Sequence, residues 1–432
     1  MVAAGHGMDP ARWREAFAAA MGRIAGRFAR YEPRLRAGRL VLGLLSNLPR
    51  KNCWTIAEWV GEASPHGMQH LLCRAAWDAE AVRDDVREYV VEHLHDEAAV
   101  LVVDETGDVK KGVHTVGVQR QYTGTAGRIE NAQVAVYLVY AGARGHAAVD
   151  RELYIPRSWT SDPDRCRAAG LAEDTVFATK PDLALRMIER FWDAGHCVGW
   201  VTGDEVYGGN PRLRAALEER GIGYVLAVAC SAEMATSTGR FLADVLVKKV
   251  PKRAWQKLSA GRGAKGHRFY DWAVVDLVEP TPGSHQLLIR RSRTTGELAY
   301  YRCHSTGPAP LTVLVKTAGS RWRVEETFQA EKGLAGLDEH QVRRYRSWTR
   351  WVTLPMLAHA FLTVVRADEH ARSPAPDGLV PLSCNEIQRL FITVTVQPRH
   401  DLAHRLGWSH WRRLHQQRSL TSHYRRQAAS GT

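Results

Sequence analysis

Three acids in this chain fall where carboxylates do metal chemistry. Asp104 closes the apolar run Ala98-Ala-Val-Leu-Val-Val-Asp104, Asp204 follows the apolar stretch Cys197-Val-Gly-Trp-Val-Thr202, and Glu325 sits within Arg321-Trp-Arg-Val-Glu-Glu-Thr-Phe-Gln-Ala-Glu-Lys332. On a helix Arg321, Glu325 and Lys332 share one face, with Val324 and Phe328 beside them. Carboxylates gathered in one place repel, and a divalent cation with a preference for hard oxygen ligands, such as Mg2+, relieves the repulsion. Two such ions roughly 4 Å apart activate a water on one side of a phosphodiester and stabilise the leaving oxygen on the other. With a freed 3′-OH in place of water, the same site joins strands. Taken singly, each acid also reads as a cap or turn residue, and the Arg-Glu-Lys face as a stripe of ion pairs. The ordered set of three carries the chemical reading. Glu326 and Glu331 are rivals for the third position, about 100° and 600° further round the helix from Glu325. Asp108 rivals Asp104, and Glu105 points to the opposite side if the strand persists.

The elements that would hold these residues follow from periodicity. Residues 9–96 read as helices: 11–30, 34–45, 55–61, 69–77, and a long one capped by Asp78 and running to about His95. The turn at 61–65 between two short helices allows a helix-turn-helix that would set 69–74 against DNA, or an ordinary bundle. Strands follow at 98–104, 113–122 and 129–139, then a loop over 143–165, a helix over 181–194, a strand at 197–202, a helix over 210–221 and a strand at 224–228. A β-rich insertion occupies 231–318, with strands at 268–275, 285–291 and 299–304. Helices at about 321 and at 348–365, a linker over 373–383, a helix at 385–394 and a basic, Trp-bearing tail complete the chain. The expected division is 1–96 helical and DNA-binding, 97–230 first part of the core, 231–318 insertion, 319–370 closing helices, and 371–432 linker and tail.

The order β-β-β-α-β-α-β, insertion, α predicts an α/β fold: an RNase H-like mixed sheet core with a β-rich insertion, an N-terminal helical domain and a helical basic C-terminal region. In that topology the strands ending in Asp104 and Asp204 are neighbours, and open α/β sheets place ligands at such carboxyl edges. The 432 residues, 45% hydrophobic and 24% charged, can bury a core, and a net charge of +13 with pI near 9.6 favours a polyanionic partner. Seven scattered cysteines without a C-x-x-C pair fit a reducing compartment better than a disulfide framework or a zinc knuckle. No run of eighteen apolar residues occurs, so the expectation is a cytoplasmic, nucleoid-associated protein with no membrane partner. Lys110, Lys111, Arg321, Arg323 and Lys332 are the expected contacts to DNA phosphates. Tyr207 and Gly208 are expected to set a turn, Trp322 to pack, and His359 to be a core histidine.

Asp104-Glu-Thr-Gly-Asp-Val-Lys-Lys-Gly112, Gln119-Arg-Gln-Tyr-Thr-Gly-Thr-Ala-Gly127, Val201-Thr-Gly-Asp-Glu-Val-Tyr-Gly208 and 321–332 resemble the motifs of the DDE transposases of the insertion-sequence IS701 family, relatives of the IS4 group. The resemblance extends to Arg50-Lys-Asn-Cys-Trp54 and to 261–272. It implies that Asp104, Asp204 and Glu325 are the catalytic, metal-binding acids and that two Mg2+ ions are the cofactor, with Mn2+ able to substitute. It also implies a homodimer acting on the terminal inverted repeats of its own element and on target DNA, by strand cleavage and transfer. A nuclease of the same fold without strand transfer, and an inactive transposase-derived DNA-binding protein, are the alternatives. Of the IS4 signature Tyr-x2-Arg-x3-Glu-x6-Lys, Arg321, Glu325 and Lys332 are present; Ala318 stands at the Tyr position.

Overall fold

The computed structural model describes residues 10–263, 266–372, 379–396 and 400–430. They fall in two compact units: a helical one drawn from 1–85, 331–342 and 346–432, and a sheet-based one drawn from 86–330 and 343–345. The helical unit begins with α1 (Pro10–Arg23), α2 (Tyr31–Leu44), α3 (Cys53–Trp59), α4 (His66–Cys73) and α5 (Ala79–His93), the last crossing into the other unit. Local chemistry accounts for their starts. Asn52 Oδ1 accepts from the amides of Trp54 and Thr55 in a capping box, and Asp78 Oδ1 accepts from Glu80 and Ala81 at 2.9 and 3.1 Å, as its sequence position predicts.

The sheet unit runs β1 (Val100–Val109), β2 (Gln119–Thr123), β3 (Arg128–Ala141), β4 (His146–Leu153), α6 (Arg157–Thr160), α7 (Pro163–Ala169), α8 (Lys180–Asp193), β5 (Trp200–Gly203), α9 (Glu205–Gly208), α10 (Pro211–Glu219) and β6 (Gly223–Val228). It continues with β7 (Glu233–Thr236), β8 (Gly239–Leu242), α11 (Ala243–Lys249), β9 (Gln256–Gly263), β10 (Gly266–Asp276), β11 (Ser284–Ser292), β12 (Leu298–Ser305), α12 (Leu311–Ser320) and α13 (Trp322–Ala335). The main sheet is ordered β2-β3-β1-β5-β6-β12-β11-β10-β9, with β4 also on β3. β1 and β3 are antiparallel, whereas β5 is parallel to both β1 and β6. This is the mixed α/β sheet expected of an RNase H-like core.

The structure corrects the strand assignments in three places. The strand expected over 113–122 is only Gln119–Thr123, the "loop" over 143–165 contains β4, α6 and α7, and β1 continues past Asp104 to Val109. β4 was hidden because two charged residues, Asp150 and Arg151, are buried in it; Asp150 accepts from Arg190 Nε of α8 at 2.9 Å. The strands expected in the insertion are present, and β9–β12 are hydrogen-bonded onto β6 as a continuation of the same sheet through Tyr300↔Val228 to His304↔Tyr224. α12 lies directly on β9: a Cβ at Gly319 would fall 2.0 Å from the Ala260 carbonyl oxygen.

The remaining helices, α14 (Tyr345–Arg372), α15 (Cys384–Leu390) and α16 (Leu402–Ser430), belong to the helical unit, although 348–365 was expected to close the core. α14 is buried on almost every face, so periodicity carried no information about its neighbours. Its Arg350, 1% exposed, donates to the carbonyls of Leu71, Leu72, Ala75 and Trp77 at 3.2, 3.5, 2.6 and 2.9 Å, closing the C-terminal end of α4. His359 is a core histidine as expected, its Nδ1 3.5 Å from Oε1 of the buried Glu331. In the tail, Trp408 Nε1 donates to Glu62 O at 2.8 Å, Arg412 pairs with Glu58 at 2.6 Å, and Trp411 packs edge-on against Trp54. Trp408, Trp411 and Arg412 of the basic tail thus meet α3 and the turn that follows it, while Arg405 and Arg413 stay exposed. Residues 373–378 of the expected linker lie outside the described residues. No helix among the described residues is long and apolar enough to cross a membrane.

Arg350→Met should cost about 3 kcal/mol or more in urea unfolding, because several buried carbonyls lose their donor at once. Arg350→Lys should recover only part of that, since an ammonium lacks the planar fork.

Candidate active site

The register of one parallel strand pair builds the site. Val100, Leu101, Val102 and Val103 of β1 stand opposite Trp200, Val201, Thr202 and Gly203 of β5, so the next residue on each strand, Asp104 and Asp204, emerges at the same edge. Asp104 is 7% exposed and its Oδ1 accepts from the Glu105 amide at 2.8 Å. Asp204 leaves the strand as the N-cap of α9, accepting from the Val206 amide at 2.9 Å. α9 lies flush on β6: a Cβ at Gly208 would stand 1.9 Å from the Ala227 carbonyl oxygen, so this turn admits only glycine there.

The charges at this edge are in conflict. Burial, then the nearby charge of Asp204, pushes the Asp104 carboxyl up to about 7, against the pull of Arg321, whose Nη2 is 3.8 Å from Asp104 Oδ2. Asp204 is also raised, by burial and then by Glu105, while the Val206 amide and Arg321 oppose the shift. Glu105, on the alternate face of β1 because the strand persists, accepts from Lys180 Nζ of α8 at 2.5 Å and from Tyr207 OH at 2.7 Å. Arg321 Nε is buried and has no hydrogen-bond partner among the described residues.

The other predicted residues are placed as follows. Glu325 is exposed on α13, one turn beyond Arg321. Glu326 is engaged: burial opposes its ionisation, but hydrogen bonds from His146 and Arg323 outweigh this and bring it down to about 2, with Arg323 Nη1 2.7 Å and His146 Nε2 3.4 Å from Oε2. Lys110 Nζ lies 3.8 Å from Asp108 Oδ2, both side chains being largely buried, while Lys111 is exposed. Lys332 lies further along α13, in the helical unit. Ala318 is apolar core, packed with Ala260, Trp272 and Leu314. Trp322 is half exposed, with the Arg268 guanidinium 5.7 Å from its ring centre, so the packing expected of it is partial. Sequence reasoning missed Lys180 and His146 and the engagement of Glu105. Nothing local to Lys180 or His146 announces a partner 75 or 180 residues away in the chain.

Asp104 and Asp204 suit a divalent cation: they are hard oxygen donors, half-buried or more, whose ionisation burial makes costly, that of Asp104 the more so for the charge of Asp204. Among the described residues no three His, Cys, Asp or Glu side chains are gathered closely enough to hold a metal on their own. The structure brings together the first two acids and Arg321 and leaves Glu325 outside that cluster.

A mixed sheet of this order, with acids where the pairing of its two central parallel strands stops, defines the class of RNase H-like enzymes. The chain belongs to the DDE superfamily endonucleases, whose family model matches residues 25–272, a span that includes Asp104 and Asp204 and ends before α13. It is 32% identical over 192 residues to the probable transposase for insertion sequence element IS701 of Microchaete diplosiphon, which bears out the resemblance to the IS701 family. The match spans 44% of this chain and about half, 47%, of that relative. Membership of the DDE endonucleases implies dependence on a divalent metal.

Because folded Asp104 holds its proton up to about pH 7, against an ordinary value of 3.8, its contribution to stability is full at low pH and is lost as pH rises between those values. Metal-free wild type should therefore lose more Tm between pH 5 and 8 than Asp104→Asn does, by several degrees in a thermal melt. Adding a divalent cation at pH 8 should restore the loss in wild type alone.

Proposed function

We propose that this protein is the transposase of an insertion sequence, cutting DNA at the ends of its element and joining the freed 3′ ends to target DNA. The observation that carries the reading is the β1–β5 register, which sets Asp104 and Asp204 side by side beneath Arg321. Glu325 is the third acid. It is the carboxylate of α13 left exposed while Glu326 is held by His146 and Arg323 and Glu331 is buried against His359. Asp104, Asp204 and Glu325 would hold two Mg2+ ions, replaceable by Mn2+, which when bound would supply activation of the attacking hydroxyl and charge neutralisation at the leaving oxygen. The chain's own part is to fix the carboxylates on a rigid sheet edge and to meet the phosphate with cations. Arg321, with its unpaired Nε, and the exposed Lys111 suit that role; Arg323 is already committed to Glu326, and Lys110 to Asp108. The partners are the terminal repeats and the target duplex, and cutting two ends together calls for a homodimer.

Glu325→Gln should lower Mg2+-dependent cleavage of end-containing DNA by about a hundredfold or more, with Glu326→Gln remaining within about tenfold of wild type. Loss of cleavage in Glu326→Gln alone would move the third acid by one residue. Joining of a pre-cut end to plasmid distinguishes the transposase from a nuclease that only hydrolyses, and wild-type excision by Asp204→Ala would establish a non-catalytic DNA-binding protein instead.

A further inference from the structure

Beside the two acids lies a second constellation that takes no part in the proposed chemistry. Glu105 follows Asp104 on β1, and both of its carboxylate oxygens are engaged, Oε1 by Lys180 Nζ and Oε2 by Tyr207 OH. Tyr207 is fully buried in the short helical turn that Asp204 caps, and Lys180 is the first residue of α8. The Glu105 amide in turn holds Asp104 Oδ1. A continuous path therefore runs from the Asp104 carboxylate through one peptide and one side chain to the turn that carries Asp204.

Resting on the metal-dependent reading above, we infer that Tyr207, Glu105 and Lys180 form a brace that sets the separation of Asp104 and Asp204 and thereby the affinity of the site for its cation. The β1–β5 register fixes the edge at which the two acids emerge but does not extend to the acids themselves. Backbone pairing between them ends at Val103↔Gly203, one residue short of the acids. Beyond it Asp204 sits on a one-turn helix, and a turn of that length has little rigidity of its own. The Tyr207 hydroxyl is what ties that turn back to β1. Lys180 has a separate task. A bare Glu105 carboxylate would compete as a ligand and draw the cation out of the Asp104–Asp204 position; the ammonium engages the oxygen that Tyr207 does not, and keeps Glu105 a positioning residue. Partners of metal ligands acting in this way commonly set affinity by about ten- to a hundredfold.

The test is Mn2+ binding to the full-length, DNA-free protein, followed by electron paramagnetic resonance, which reports both affinity and the symmetry of the bound ion. Tyr207→Phe should weaken Mn2+ binding about tenfold, and Lys180→Met should change the spectrum of the bound ion as Glu105 is released. Tyr224→Phe is the control. Tyr224, on β6, is equally buried and donates to a carboxylate, Glu218 Oε1, at 2.6 Å, but it does not touch the acids. It should bind Mn2+ like wild type. Wild-type affinity and spectrum in both Tyr207→Phe and Lys180→Met would overturn the brace while leaving the acid pair standing. Equal weakening in Tyr207→Phe and Tyr224→Phe would also overturn it, as a general loss of packing. Wild type that takes up no Mn2+ would remove the metal site and the brace with it.

Discussion

Two like charges held where two adjacent parallel strands part are the constraint on which this structure turns. Hydrogen bonding between β1 and β5 fixes where Asp104 and Asp204 emerge, and burial makes their joint ionisation costly. The surrounding residues answer that cost in different ways. Arg321 approaches Asp104 from one side, amides of the α9 turn receive Asp204, and Lys180 neutralises the third carboxylate that β1 brings along. The metal dependence implied by the family is the remaining compensation.

The helix that follows divides its acids among three fates. Glu325 is left to solvent, Glu326 is pinned by a histidine and an arginine, and Glu331 is enclosed with His359. Rotation about one helix axis accounts for this: successive residues are turned by about 100°, so neighbours in sequence meet different surroundings.

Much of the scaffold was legible in the sequence because it rests on local rules. Asp78 marked the start of α5, Pro181 the first turn of α8, and the alternation of apolar and polar residues the strands of the insertion. The positions of Asp104 and Asp204 followed from the apolar runs they close. The failures have non-local causes. β4 carries Asp150 and Arg151 in a buried strand, which erases the hydrophobic signal unless Arg190 is known to be waiting. β1 outruns its apolar stretch because Asp104 to Val109 stay paired with Tyr137 to Ala132 of β3, and Glu105 within it finds Lys180 and Tyr207. α14 is buried almost all round, so no apolar face marks its neighbours, and its fit in the helical unit shows in the carbonyls that Arg350 reaches.

The way the insertion attaches also governs the limits of the sheet. By pairing β12 with β6 it carries the sheet outward to β9, and a strand at such a boundary ordinarily offers its free amides and carbonyls to any other chain. Here the offer is withdrawn. β9 carries Lys257 and Arg262, its pairing with β10 slips between His267 and Phe269, and α12 rests so closely on Ala260 that only glycine fits at 319. The segment that lengthens the sheet is built to end it.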